Sequence, residues 1–463
     1  MHIGIDFGTS YSAAAAVLDG KLQLIRFGDA TQFRTAVFFP ERVPSPDEFQ
    51  LTPAMEAEVD AIVRSGRMQR HGLSDVQLRK DAIRVVRRQW MEEQVRSARP
   101  VTGDLHRAVI GEEAVQAYLE EGTGHLIESP KSMFGYRMDA PVRQTVVNIA
   151  AHILEHVRLT ATRQLGITVR GAVIGRPVEF RSSMGAQGGI QALELLREAA
   201  QLAGFDEIAF VEEPVAAAMH YHRAIDRRQR VLIVDIGGGT TDLAYAELGA
   251  GMAPRIHRSW GVPVGGTDLD LGVNLQSFMP LFGKDEAAVP AHNYVDAASV
   301  QILPRQRDFR KKNFRMVREP FGSRLRSLQH LGATTQLNRL AEMAKIRLGS
   351  DEHCAVDFGF IESGLALQVQ RADFLEAAAG FIEKFNRLLI QARNDIGTLP
   401  DCVFLTGGSS QAADLQRCVR RHFPGIPVVE GDPSLGVVSG LATVASDIEH
   451  CVPTHLFPAR GAQ

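Results

Sequence analysis

Several familiar chemistries are missing from these 463 residues. Cys354, Cys402, Cys418 and Cys451 lie far apart, and no C-x-x-C occurs. That excludes a zinc ribbon and a disulfide framework, and reduced thiols in a cytoplasmic compartment fit best. No G-x-x-x-x-G-K-[ST] segment exists, since Gly283-Lys284 lacks both the upstream glycine and the following Ser or Thr. A P-loop is therefore ruled out. Charge of one sign is not in excess: the formal net charge is -3, so no global field points to nucleic acid or membrane. Long apolar runs are absent too. Ala13 to Leu18 is far too short to span a bilayer. The chain runs directly into Ile3-Gly4-Ile5-Asp6 without the pattern of a signal peptide. A soluble, cytoplasmic protein with no membrane or nucleic-acid partner is expected.

The length is too great for one ordinary core, so two or more domains are expected. Residues 3–18 read as strand, glycine turn, strand. Residues 40–100 read as irregular with helix-like stretches such as Arg79 to Gln94, and helical spacing marks 143–165, 190–203, 335–348 and 372–394. Short apolar strands are expected at 171–175, 209–211, 231–235, 243–247 and 403–406, with a helix leading to Pro433. Strands alternating with helices predict α/β layers.

One pattern recurs at long range. Near residue 3 the chain reads apolar-Gly-apolar-Asp-apolar-Gly-Thr-Ser, and near residue 232 a similar strand ends in Asp235 and Gly237-Gly238-Gly239-Thr240-Thr241-Asp242. Two similar lobes, each offering an aspartate and a glycine turn, are the simplest reading. Such turns present backbone N–H groups at close range and suit a polyphosphate. Gly8-Thr9-Ser10 and the second turn both qualify, and the hydroxyls of Thr9, Ser10 and Thr240 add donors. Asp6 and Asp235, at strand ends, suit a hydrated Mg²⁺, which keeps several waters when bound. A third glycine turn follows at Gly407-Gly408-Ser409.

These residues resemble the heat-shock ATPase/actin superfamily and, within it, the DnaK-type chaperones. Ile5 to Ser10 looks like the first phosphate motif and Val234 to Asp242 the second. Ser129-Pro130-Lys131-Ser132 resembles the segment of the catalytic lysine, and Glu212-Glu213-Pro214 to Ala218 the run that supplies a metal-water ligand at Glu213. Gly265-Gly266-Thr267-Asp268 and Glu342-Met-Ala-Lys345 resemble the second lobe's signatures, with Glu342 and Lys345 as adenosine contacts. Thr406-Gly407-Gly408-Ser409-Ser410 is similar to the adenosine motif, and Tyr11, Thr241 and Asp432 join the nucleotide contacts. Ser-Pro-Lys-Ser, Val-Ile-Gly-Arg-Pro and Pro424-Gly-Ile-Pro427 are nearest the short YegD-type subgroup.

The resemblance implies a two-lobed actin-like α/β fold that binds ATP or ADP with Mg²⁺. Each lobe is a mixed five-stranded sheet with flanking helices and an inserted peripheral subdomain. Lobe I is expected over 1–228 with its insertion at about 38–140, and lobe II over 229–450 with its insertion at about 271–380. Beyond lobe II only a short tail, 451–463, is expected, with no peptide-binding domain. Lys131, Glu213, Asp235 and Thr240 form the implied catalytic set, with Asp6, Asp235 and Glu213 meeting the metal through water. Three departures alter the base end: Ile346 stands where the family has a purine-stacking arginine, Gly349 replaces a serine, and Gln411 replaces a second arginine.

Weaker signals have plainer explanations. His152-Ile-Leu-Glu155-His156 fits an inverted zinc-protease pattern but sits on an apolar-periodic helix with no evident third ligand. Arg305 to Arg326, interleaved with Phe309, Phe314 and Phe321, reads as a solvated amphipathic segment rather than a nucleic-acid patch, as does Arg79 to Arg88. Trp90 and Trp260 read as packing residues. Three functions fit: a chaperone-like ATPase switch acting through a protein partner or co-chaperone, a small-molecule kinase of the superfamily, and a nucleotide-sensing scaffold with little turnover.

Overall fold

Ile3, Ile5 and Phe7 alternate along the first strand and are fully buried, which fixes that strand, His2–Phe7, at the centre of a sheet. The computed structural model describes residues 1–40, 49–69, 74–97, 108–121, 124–249, 253–432 and 435–449. The first sheet runs Lys21–Leu24, Tyr11–Leu18, His2–Phe7, Gly171–Arg176, Glu207–Glu212, with Gln32–Arg34 added beside Tyr11–Leu18 as a sixth strand. A second sheet of five strands runs Arg255–Val262, Thr241–Leu248, Gln229–Ile236, Cys402–Thr406, Val428–Glu430. The two share a plan. A central strand carries the aspartate, pairs antiparallel with the strand after its glycine turn, and pairs parallel with a later strand on its other side. Asp6 lies opposite Ala13, and Asp235 opposite Asp242. The long-range recurrence in the sequence is thus a repeat of architecture, and the fold is the two-lobed actin-like α/β arrangement.

Two helices join the sheets. Glu213–Ala224 begins with Pro214 in its first turn and continues through an alanine run, both favourable there. Gly436–Glu449 is buried from Gly436 to Ala445 and packs on it. Gly4 and Gly440 permit this: a Cβ at Gly4 would overlap the Ala442 backbone, and one at Gly440 the Ala216 carbonyl.

Peripheral elements hang on both halves. Ala36–Phe39, Val109–Ile110 and His125–Glu128 form a small sheet beside the helix Glu112–Glu121. Within 40–100, expected to be irregular with helix-like stretches such as Arg79 to Gln94, two long helices form: Asp75–Ser97, which takes in that stretch, and Pro53–Gln69, which is not among the expected helices. Their apolar seam of Val59, Ala82 and Val86 is thin, and dense charge hides it in the sequence, while Arg79 pairs with Glu56 and Asp60 across them. The helix expected over 372–394 is two, Arg371–Ala377 and Ala379–Asp395, and Ala413–His422 gives way to Val428–Glu430 before Pro433. The tail 451–463 lies outside the described residues.

The plainer explanations of the weak motifs fit. The His156 ring packs on Phe27 and Phe33, 5.7 Å from each, and among the described residues no cluster of three metal-ligating side chains exists. Phe309, Phe314 and Phe321 are buried, and Arg305, Arg318, Arg324 and Arg326 are paired with Asp296, Glu286, Glu362 and Glu319. The Trp260 indole donates to Asp395, and Trp90 packs on Phe49. Among the described residues no helix is long and apolar enough to cross a membrane.

Candidate functional site

A cavity of about 600 Å³ opens between the sheets. The two glycine turns meet across it. A Cβ at Gly238 would overlap Ser10 Oγ and one at Gly239 would overlap Thr9 Oγ1, so only glycine lets the turns approach this closely. The third turn closes in at Gly407, whose φ of 84° suits glycine and where a Cβ would overlap Asp235 Oδ1. Three sequence segments hundreds of residues apart therefore present backbone N–H groups and hydroxyls to one space.

The charged floor comes from four elements. Asp6 and Asp235 project from the two central strands, and Glu213 opens the helix Glu213–Ala224. Lys131 sits on the short 3-10 turn Pro130–Met133, after Ser129 in a left-handed conformation, φ 55°, that is uncommon outside glycine. The turn is pinned by Ser129 N–H donating to the Thr35 carbonyl and Ser132 Oγ donating to the Ser129 carbonyl. Lys131 Nζ donates to Glu213 Oε1 at 2.7 Å, and both side chains are largely buried.

Negative charge is in surplus. Burial, then Glu213, pushes Asp6 up to about 7, with Lys131 opposing. Burial and Glu213 likewise push Asp242 up to about 8, and burial with Glu213, Asp242 and Asp6 raises Asp235 well above the usual carboxylate range. One lysine does not balance this set. Among the described residues no three metal-ligating side chains lie close enough to hold an ion directly; the oxygen donors Asp6, Asp235 and Glu213 suit a hard cation that keeps its water shell.

Most of the expected nucleotide contacts line the cavity: Asp6, Gly8, Thr9, Ser10, Tyr11, Lys131, Glu213, Asp235, Gly237, Gly238, Gly239, Thr240, Gly266, Glu342, Lys345, Gly407, Gly408 and Ser409. Four do not, and each is committed to the framework. Thr241 Oγ1 donates to the Val264 carbonyl, and Ser410 Oγ to the Gly407 carbonyl. Gly265 packs its Cα against the Gly237–Gly238 backbone, and Asp432 accepts from Leu435 N–H. Glu342 and Lys345 are on the wall but engaged: Glu342 accepts from Arg34 Nη2 at 2.7 Å, and Lys345 pairs with Asp270 at 2.8 Å. Ile346, Gly349 and Gln411 line the same end, with Leu269, Ser350 and Phe374.

Two arginines lacked any sequence signal. Arg34 gathers Glu342, Glu112 and Glu128 at the mouth, and its guanidinium lies 5.2 Å from the Tyr11 ring centroid. Arg181, four residues past Pro177, reaches the second turn.

Residues 110–289 match the family model described as Hsp70 protein. The match takes in Lys131, Glu213, the second glycine turn and Gly265-Gly266, and is under half of the chain. It supports kinship with the Hsp70 family of the actin-like ATPase superfamily.

Proposed function

We propose that this chain binds Mg·ATP in the cleft and acts as a chaperone-like ATPase switch, of the short YegD-type subgroup, that works through a protein partner. The observation that carries the reading is the meeting of two glycine turns, one from each of two matched sheets, over Asp6, Asp235, Glu213 and Lys131. In this reading lobe I spans about 1–228 and lobe II about 229–450, and a triphosphate bonded to both turns draws them together.

Hydrolysis is in-line attack of water on the γ-phosphorus with ADP leaving, so catalysis is positioning and electrostatics. Turn N–H groups with Thr9 and Thr240 hydroxyls hold the phosphate oxygens. Lys131, steered by Glu213, orients the attacking water and offsets charge developing on the phosphoryl oxygens. Asp6, Asp235 and Glu213 order a water shell. Magnesium, when bound, supplies neutralisation of the β- and γ-oxygens. Ile346 and Gln411 at the base end favour a second reading, a nucleotide-sensing scaffold with little turnover.

Calorimetric titration with ATP, ADP and GTP, with magnesium and with EDTA, tests the proposal. The expected result is micromolar ATP binding that magnesium strengthens and EDTA abolishes or greatly weakens. Equal affinity in EDTA and magnesium would remove the metal from the reading. ADP formation that depends on a small acceptor would replace the switch by a kinase.

A further inference from the structure

We propose that Arg181 is the residue through which this site tells a nucleoside triphosphate from a diphosphate. The inference rests on the nucleotide reading above and adds a role for a side chain that reading does not use.

Arg181 lies beyond the strand Gly171–Arg176 of the first sheet, yet its side-chain bonds go to the far side of the cleft. Nε donates to the Gly239 carbonyl at 2.8 Å, inside the second glycine turn. Nη2 donates to Thr267 Oγ1 at 3.3 Å and to the Asp268 carboxylate. Asp268 in turn accepts from Gly265 N–H at 2.8 Å at the start of the helix Gly266–Val273. One edge of the guanidinium is thus fixed against the turn. Among the described residues Nη1, on the other edge, has no hydrogen-bond partner. Arg181 lines the cavity together with Lys131, Glu213, Gly239 and Thr240, the residues read as the terminal-phosphate end.

Arg181 is also mechanically tied to Lys131. Gly135, four residues after the lysine, pairs with Ser182 in a parallel bridge, and a Cβ there would overlap the Arg181 carbonyl. Ser183 N–H donates to the Gly135 carbonyl at 3.3 Å, and Arg137 N–H to Ser183 Oγ at 3.2 Å. The lysine turn and the arginine loop are therefore one unit, and it meets the second turn through Arg181. A third phosphate brings added negative charge and acceptor oxygens to this end of the cavity. Lys131 is already paired with Glu213. An arginine fork held by one edge can donate from the other, and its planar geometry suits phosphate. A diphosphate ends short of that group and leaves Arg181 bonded to the protein alone.

The test is calorimetric titration, with magnesium, of ADP and of a non-hydrolysable ATP analogue into wild type, Arg181→Gln and Arg181→Lys. Arg181→Gln is expected to weaken the triphosphate analogue by about tenfold or more, the scale of one charge-assisted hydrogen bond, and to change ADP affinity by less than about twofold. Arg181→Lys keeps the charge without the fork and is expected to fall between, and it carries the comparison should Arg181→Gln fail to fold. Equal losses for both nucleotides would make Arg181 a structural clasp and overturn the inference, as would no change for either. Failure of the wild type to bind both nucleotides would instead sink the nucleotide reading, and this inference with it.

Discussion

Asp6 and Asp235 on the floor of the cleft, and Asp242 opposite Asp235, are buried near Glu213 with a single lysine, and all three aspartates hold their protons more tightly than an ordinary carboxyl. Asp6 stands at about 7 and Asp242 at about 8, against 3.8 for an ordinary aspartate. Burial is the larger cause, with Glu213 next. A carboxyl held above its unfolded value binds its proton more tightly in the folded state. The stability it contributes is complete below the unfolded value and is lost as pH rises through the folded one. The ligand-free protein is therefore expected to lose stability between about pH 4 and pH 8, less steeply in Asp242→Asn. Magnesium with nucleotide should flatten the wild-type slope, because added positive charge favours the ionised forms. Denaturant midpoints across this pH range, in EDTA and in magnesium with ATP, check it. A slope that neither the substitution nor the ligand alters would contradict the account.

At the scale of elements, the helix Ala333–Leu348 decides the base end. Glu342, Lys345 and Ile346 share one face by their spacing of three and four. The first two are held by Arg34 and Asp270, whereas Ile346 is 66% exposed at the cavity wall. An isoleucine there gives packing without a planar cation. Cation–π stacking on a base is worth about 0.5–2 kcal/mol. Ile346→Arg is expected to tighten ATP by up to roughly tenfold, since 1.4 kcal/mol is a factor of ten. Titration of both proteins under identical magnesium decides this, and an arginine that brings no gain means that other residues hold the base.

The same helix shows what a sequence discloses. Asp6 and Asp235, with their glycine turns, were legible because strand, carboxylate and turn sit at fixed local offsets. The Arg34–Glu342 pair spans 308 positions, and no periodicity encodes such a contact. The Thr241 and Ser410 hydroxyls bond to framework carbonyls, and a hydroxyl beside a glycine turn reads the same in sequence whether it faces the cavity or such a carbonyl. The helix Asp75–Ser97 was partly legible, through Arg79 to Gln94, whereas Pro53–Gln69 was hidden by charge laid over a thin apolar seam.

For the whole molecule the decisive joint lies against the cavity, whose lining includes Glu213 and Val437 from its two helices. Gly436–Glu449 lies against Glu213–Ala224, whose first residue is Glu213, and against the strand that carries Asp6. Gly440 faces the Ala216 carbonyl so closely that a Cβ would overlap it, and the obstacle is backbone rather than a flexible side chain. Gly440→Ala must push the helices apart. Overpacking of this kind costs about 1–3 kcal/mol, which outweighs the helix-propensity gain of up to about 1 kcal/mol. The shift would also move Glu213 relative to Asp6, so Mg·ATP affinity should fall together with stability. Gly189 supplies the contrast. It lies within the helix Ala186–Leu202 and a Cβ there meets nothing within 4 Å. Gly189→Ala should therefore stabilise by about 0.5–1 kcal/mol and leave nucleotide binding unchanged. Denaturant unfolding and ATP titration of the two variants compare them directly. If Gly440→Ala matched Gly189→Ala in both measurements, the two helices would not be the joint that sets the cleft.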